Sequence, residues 1–88
     1  MWKIKYLPQS LKLLKKLDNS TKKRIIDYLE KLAKKGDPES SGAPLSANLS
    51  GFRKYRVGDH RIICDLKKNE LIILVIDIGH RSVVYKTK

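Results

Sequence analysis

The sequence has few of the residues on which disulfide and metal chemistry depend. Among its 88 residues there is one cysteine, Cys64, and there are two histidines, His60 and His80. A single cysteine forms no disulfide within the chain, and these three residues do not have the spacing of zinc ligands. The nine acidic residues are scattered, whereas a two-metal nuclease needs several converging carboxylates. The sequence therefore predicts no metal site and no cofactor.

Further absences concern membranes and nucleotides. No apolar run approaches the roughly 20 residues that span a bilayer, and residues 1–6 lack the apolar core of a signal peptide. No glycine-rich phosphate loop opens a helix. We therefore expect a cytoplasmic protein that has no membrane contact.

What the chain has in excess is positive charge. Twenty Lys and Arg against nine Asp and Glu give a net charge of +11, which favours nucleic acid, anionic membranes or acidic proteins as partners. A length of 88 residues and an apolar fraction of 41% fit one domain, residues 1–88, that has a modest core.

The first half of the chain predicts one strand and two helices. Residues 2–6 alternate apolar and lysine side chains, as a short half-buried strand does. A first helix follows from Pro8, with leucines at intervals of three. Asn19 or Ser20 is expected to cap a second helix over residues 21–35, which Gly36 ends. Residues 40–50 predict a loop.

The second half predicts three antiparallel strands. They cover residues 52–57, 60 to about 66, and 71–78, with turns at Gly58-Asp59 and at residues 67–69. The third is apolar at nearly every position, which is typical of a strand covered on both faces. We therefore expect an α+β fold, in which an N-terminal strand and a three-stranded antiparallel meander form one sheet with a two-helix hairpin on one face.

Basic residues recur along these strands at a spacing that groups them on one face. Lys54 and Arg56 share one face of their strand, and Tyr55 and Val57 take the other. Such a cluster suits a polyanion, because arginine binds phosphate oxygens through paired hydrogen bonds. RNA adds a 2′-hydroxyl that can attack its own phosphate, so its cleavage needs no external nucleophile. These features predict a protein that acts on RNA.

Residues 49–65 (LSGFRKYRVGDHRIICD), 78–81 (IGHR) and 84–85 (VY) together resemble the RelE family of toxins, in the RelE/ParE superfamily of toxin–antitoxin systems. The resemblance covers essentially the whole chain. It implies the RelE-like fold and a ribosome-dependent endoribonuclease that cuts mRNA in the ribosomal A site. It also implies an acidic cognate antitoxin, and the ribosome with its rRNA and mRNA as targets.

The resemblance also implies a set of site residues. The catalytic candidates are Lys54, Arg56, Arg61, Arg81 and Tyr85. Beside these matched positions, the auxiliary RNA-binding candidates are Arg53, His60, His80 and Lys86; Arg53 and His60 depart from the aromatic residues that the family often has there, and the position of His80 varies in the family. Lys54 is the candidate general base, since arginine does not readily give up a proton.

Alternatives remain open for each group. Lys54 and Arg56 also fit edge-strand charges that discourage aggregation, and Arg61 fits a structural ion pair with Asp59 or Asp77. Tyr85 fits a packing role and His80 an exposed position. For the whole chain, the alternatives are a ParE-like inhibitor of DNA gyrase without nuclease activity and an inactive RNA-binding module.

Overall fold

One sheet organises the chain. The computed structural model describes residues 2–44 and 51–80. In chain order, the described elements are β1 (Lys3–Tyr6), α1 (Pro8–Lys16), α2 (Asn19–Lys35), α3 (Pro38–Ser41), β2 (Ala43–Pro44), β3 (Phe52–Val57), β4 (His60–Lys67) and β5 (Ile72–His80). These strands lie side by side in the order β1, β5, β4, β3, β2. β1 is parallel to β5, and the remaining pairs are antiparallel. The predicted α+β class and meander are confirmed.

The two long helices begin and end where local chemistry allows. Pro8 opens α1, where its missing N–H costs nothing. α2 is capped by Asp18, whose carboxylate accepts hydrogen bonds from the Thr21 amide at 3.2 Å and the Ser20 hydroxyl at 2.7 Å. The predicted cap at Asn19 or Ser20 is therefore wrong, because Ser20 serves as a donor to the true cap. α2 ends at Gly36, whose φ of +80° suits glycine.

The core lies between the helices and one face of the sheet. α2 contributes Ile25, Leu29 and Leu32, which are 0–3% exposed. They pack in one cluster with Tyr55, Ile62, Cys64, Leu66, Ile73, Val75 and Ile78 from the strands. Ser10, also fully buried, donates its hydroxyl to the Val75 carbonyl at 2.7 Å and so fixes α1 to β5.

β5 differs from the expected strand in two ways. Its burial alternates, since Ile73 and Val75 are buried under the helices while Ile72 and Leu74 are half-buried on the opposite face. The prediction of a strand covered on both faces is therefore wrong for the described residues, because α1 and α2 both pack on one side. β5 also begins at Ile72, one residue later than predicted, since Leu71 takes a left-handed φ of +56°.

Part of the predicted loop is ordered structure. Residues 38–41 form α3 and residues 43–44 form β2, which pairs antiparallel with β3. The rest of that loop, residues 45–50, lies outside the described residues. Among the described helices, none combines the length and the apolar composition that a membrane crossing requires.

Candidate nucleic-acid interface

Three of the candidate catalytic residues share the sheet face opposite the helices. Lys54 pairs with Ile63, and Arg56 pairs directly with Arg61 across β3 and β4. Tyr55, which lies between Lys54 and Arg56 in β3, points to the core instead, and only 2% of its surface is exposed. The alternation that the sequence predicted is thus present. Side chains directly opposite each other on antiparallel strands have Cβ atoms about 4.5–5.5 Å apart, so Arg56 and Arg61 form a close pair of like charges.

These cations border a shallow depression of about 360 Å³, which we call the basic depression. Its described lining consists of Ser41, Ala43, Lys54, Tyr55, Arg56 and Arg61. Two walls meet there, since Ser41 and Ala43 come from α3 and β2, and the cations come from β3 and β4. Both walls of the basic depression are therefore formed by helices and strands.

Two carboxylates on this face, those of Asp65 and Asp77, have partners on their own strands. Asp65 forms an ion pair with Lys67 at 2.8 Å, and its hydrogen bond raises the pKa of Lys67. Asp77, which lies opposite Ile63, accepts a hydrogen bond from the Ile78 amide at 3.0 Å. Among the described residues that line the basic depression there is no acid. Its chemistry is that of an anion site.

Arg53 does not join this cluster, although the sequence grouped it with the RNA-binding candidates. It lies on the helix side of β3, with 14% of its side chain exposed. Its guanidinium donates to Glu39 Oε2 at 2.7 Å and to the Phe52 carbonyl at 3.0 Å. The position of Arg53 in the strand alternation and its ion pair with Glu39 direct its side chain away from the basic depression.

His60 and His80 also lie on the helix side. They face each other across β4 and β5, with ring centroids 4.9 Å apart and the rings nearly perpendicular at 87°. Together with Lys16 and Arg24 they line a second cavity of about 440 Å³ at the end of the sheet. The two histidines are thus brought together, but on the face opposite to Lys54, Arg56 and Arg61.

The remaining candidates are the three from the C-terminal segment. Arg81, Tyr85 and Lys86 lie outside the described residues. The chain reaches this segment directly from β5, whose Gly79 pairs with Arg61.

Sequence patterns did not predict two further residues that line these cavities, Ser41 and Arg24. Ser41 and Arg24 carry no pattern of their own, because their positions depend on how α3 and α2 pack against β3 and the β3–β4 turn. Only the three-dimensional arrangement places Ser41 beside the cations and the Arg24 guanidinium against Gly58.

The site offers charge and hydrogen bonds rather than a protein nucleophile. Cys64 is fully buried and its pKa is raised to about 12 by burial, so its thiol stays protonated. Within the described chain, no three His, Cys, Asp or Glu side chains are grouped so as to hold a metal ion. What the basic depression can do is hold a phosphate and neutralise charge that develops on it.

Comparison with known proteins identifies a protein family that this chain matches. The model of a family described as the ParE toxin of type II toxin–antitoxin systems, parDE, matches residues 4–85. No curated protein sequence matches the chain.

Solved structures extend the comparison. The RelBE2 toxin–antitoxin complex of Mycobacterium tuberculosis has a TM-score of 0.78 at 18% identity, over 91% of this chain and 98% of the matched chain. The isolated RelE toxin of E. coli has a TM-score of 0.77 at 13% identity, over 96% and 88%. The YoeB–YefM complex of Staphylococcus aureus has a TM-score of 0.68 at 23% identity, over 91% and 97%. At such identities the likeness shows a shared fold.

Proposed function

We propose an activity for this chain from one premise: it belongs to the ParE toxin family of type II toxin–antitoxin systems, within the RelE/ParE superfamily. The proposed activity is that of a ribosome-dependent endoribonuclease, an mRNA interferase that cuts message in the ribosomal A site and stops translation. Membership of the superfamily, expected from the sequence, is confirmed.

One observation carries the proposal. Lys54, Arg56 and Arg61 border the same depression on a sheet face where the described lining holds no acid. Arg56 lies directly opposite Arg61, so two guanidinium groups extend from neighbouring positions on the same face. An RNA phosphate between them would meet donors whose planar geometry matches its oxygens.

The proposed reaction uses the substrate's own hydroxyl. The 2′-oxygen attacks the adjacent phosphorus, the bond to the 5′-oxygen of the next nucleotide breaks, and a cyclic phosphate and a free 5′-hydroxyl remain. Lys54 would accept the proton of the 2′-hydroxyl, and Arg56 and Arg61 would neutralise the charge on the pentavalent phosphate. Arg81 would stabilise or protonate the departing oxygen, and Tyr85 would stack on a base.

The helix-side cavity supplies auxiliary contacts in this proposal. His60, His80, Lys16 and Arg24 line it together with two acids, Asp18 and Asp59. A strand that crosses the end of the sheet would therefore meet imidazole rings and a mixed set of charges after leaving the basic depression. Lys86 remains a proposed auxiliary contact. Arg53 is left out, because it pairs with Glu39.

The proposed partners are an antitoxin and the ribosome. The similar structures from M. tuberculosis and S. aureus are toxin–antitoxin complexes, which supports a cognate antitoxin for this chain. With a net charge of +11 on the toxin, an acidic antitoxin would complement it.

A second candidate follows from the family's own description. The matching family model is that of ParE toxins, so inhibition of DNA gyrase without nuclease activity is the alternative. A gyrase inhibitor needs no set of phosphate-holding residues around one depression, and for that reason we favour the nuclease.

The test separates the two activities in cells. The chain is expressed alone for a short time, and amino-acid incorporation, plasmid supercoiling and primer extension on ribosome-bound message are measured. We expect cuts within codons, arrested incorporation and unchanged supercoiling.

Arg61→Ala and Arg81→Ala should each reduce cutting by roughly 10²–10³-fold, as loss of one charge-stabilising contact does, with Lys15→Ala as a control. Intact transcripts at the moment of arrest would overturn the nuclease, and altered supercoiling would establish the alternative.

A further inference from the structure

The segment from Pro38 to Pro44, which we call the α3–β2 segment, forms one wall of the basic depression. Ser41 and Ala43 from this segment face the space that Lys54, Arg56 and Arg61 border. Ala43 is paired with Lys54 in the sheet. The position of the wall and that of the candidate general base are therefore set by the same strand pairing.

Two anchors hold the segment in place. The Tyr55 hydroxyl donates to the Pro38 carbonyl at 2.6 Å, in a buried hydrogen bond. Glu39 accepts from Arg53 at 2.7 Å and from Lys68 at 2.9 Å, and the hydrogen bond from Lys68 holds the pKa of Glu39 below its usual range. Glu39 thereby joins α3 to β3 and to the turn between β4 and β5.

Close packing leaves the segment little freedom to move. A Cβ added at Gly42 would lie 2.7 Å from Tyr55 Cε1 and 3.1 Å from Arg53 Cβ. Glycine is therefore needed where the segment crosses Tyr55, since only a backbone without a side chain passes so near the ring. A wall held this closely keeps a fixed distance from the cations.

Ser41 differs in chemistry from its neighbours at the depression. Lys54, Arg56 and Arg61 are donors only, and they suit phosphate oxygens, which are the same at every nucleotide. A serine hydroxyl both donates and accepts, so unlike the three cations it can also bond to the N–H groups on base edges. Phosphate contacts position a nucleic acid, whereas contacts to bases specify it.

We propose that the α3–β2 segment is the specificity wall of the RNA site, in which the Ser41 hydroxyl contacts the base beside the cleaved phosphate. Glu39 is the positioning residue that fixes this wall. The inference rests on the proposed nuclease function and adds to it a determinant of the cut position. Ser41 is exposed, so it is accessible to a bound strand.

The chain offers a matched control for Ser41. Ser40, its neighbour, is also an exposed serine of α3, but it donates its hydroxyl to the Asp37 carbonyl at 3.3 Å and does not line the depression. Ser41→Ala and Ser40→Ala remove the same atom from the same short helix. A purely structural role for serine in α3 would affect both variants.

The experiment maps every cut by primer extension on one ribosome-bound message with wild-type protein, Ser41→Ala, Ser41→Thr and Ser40→Ala. We expect Ser41→Ala to change the relative use of cut sites by roughly 2- to 10-fold, the value of one hydrogen bond. Ser41→Thr should restore the wild-type pattern, and Ser40→Ala should keep it. If the wild-type protein cuts and Ser41→Ala gives the same cut pattern as Ser40→Ala, the proposed role of Ser41 in specificity is wrong, but the proposed nuclease activity is retained. If wild type does not cut, the proposed function itself fails.

Glu39 is tested by separating binding from turnover. Glu39→Ala frees the wall but leaves the cations, so we expect kcat to fall roughly 10-fold or more, as slight misplacement does, with KM within about 2-fold. Glu30→Ala on α2 removes the same charge from an exposed position and controls for electrostatics. Equal kinetics for the two variants, with both folded by circular dichroism, would overturn the role of Glu39.

Discussion

Tyr55 shows how one side chain serves both the core and the site. Its ring is buried against Tyr28, with centroids 6.0 Å apart in an edge-on contact, and its hydroxyl donates to the Pro38 carbonyl. Burial raises the pKa of Tyr55, so the hydroxyl stays protonated and keeps this bond. Because Tyr55 lies between Lys54 and Arg56, fixing its ring fixes the backbone that carries both cations.

Tyr55→Phe tests this role. The substitution leaves the Pro38 carbonyl without its donor, which costs about 1–3 kcal/mol for a buried group. We expect a lower free energy of unfolding by that amount, measured by urea denaturation. Tyr28→Phe is the control, since none of the described hydrogen bonds involves its hydroxyl. Equal losses in the two variants would show that the bond to Pro38 contributes nothing specific.

At the residue scale, part of the site could be predicted from strand alternation alone. Period two is enough to group Lys54 with Arg56, and the turn at Gly58-Asp59 brings Arg61 opposite them. The same period places Arg53 with Tyr55 on the core side, away from Lys54 and Arg56. Ser41 could not be found, because no periodic pattern connects it, in a short helix, to Lys54, which lies 13 residues later in a strand.

Among the elements, α2 depends most on its first turn. Asp18 accepts from Ser20 and Thr21 there, and these hydrogen bonds hold its pKa well below the usual range. The helix supplies Ile25, Leu29 and Leu32 to the core. Loss of the Asp18 cap would therefore fray the first turn of α2 and also loosen the packing of α2 against the sheet.

This cap predicts a pH dependence of stability. A group whose pKa is lower in the folded state stabilises fully above its unfolded pKa, near 3.8, and loses that effect as pH falls through the folded value. We expect the urea midpoint of wild type to fall below about pH 4. Asp18→Asn keeps the cap acceptor but does not titrate, so its decline should be shallower. Asp27→Asn, on the exposed face of α2, should decline as wild type does; a shallow curve there too would contradict the assignment.

The elements themselves were predictable to different degrees. Long α2 and the β3–β4 hairpin follow from strong periodicity and from a Gly-Asp turn. The cap was misplaced because Asp18, Asn19 and Ser20 are all suitable residue types, and only hydrogen-bond geometry separates them. β2 has only two residues, one of them a proline, so it is too short to show a periodic pattern in the sequence. It is recognised as a strand only from its pairing with β3.

On the scale of the whole molecule, charge governs association. A net charge of +11 attracts any polyanion, so the specific site must be distinguished from the general field. Ion release on phosphate binding offers that distinction, because each phosphate contact adds a definite amount to the salt dependence of the binding constant.

The corresponding measurement uses a short single-stranded RNA and fluorescence anisotropy at several salt concentrations. Removing one phosphate contact should lower the slope of log binding constant against log salt by roughly 0.7–1. We expect that change for Arg56→Ala. Lys31→Ala, on the exposed side of α2, removes an equal charge far from the basic depression and should change the slope much less. Identical slopes would indicate diffuse binding.

The pairing of β1 with β5 has a consequence for biosynthesis. Lys3 is translated well before its partner Ile72, so β1 has no place in the sheet until β5 has left the exit tunnel. The hairpin that bears Arg56 and Arg61 likewise lacks its neighbour β5 until then. If the proposed function holds, a nascent chain would therefore lack its finished RNA site while β5 is still inside the ribosome that makes it.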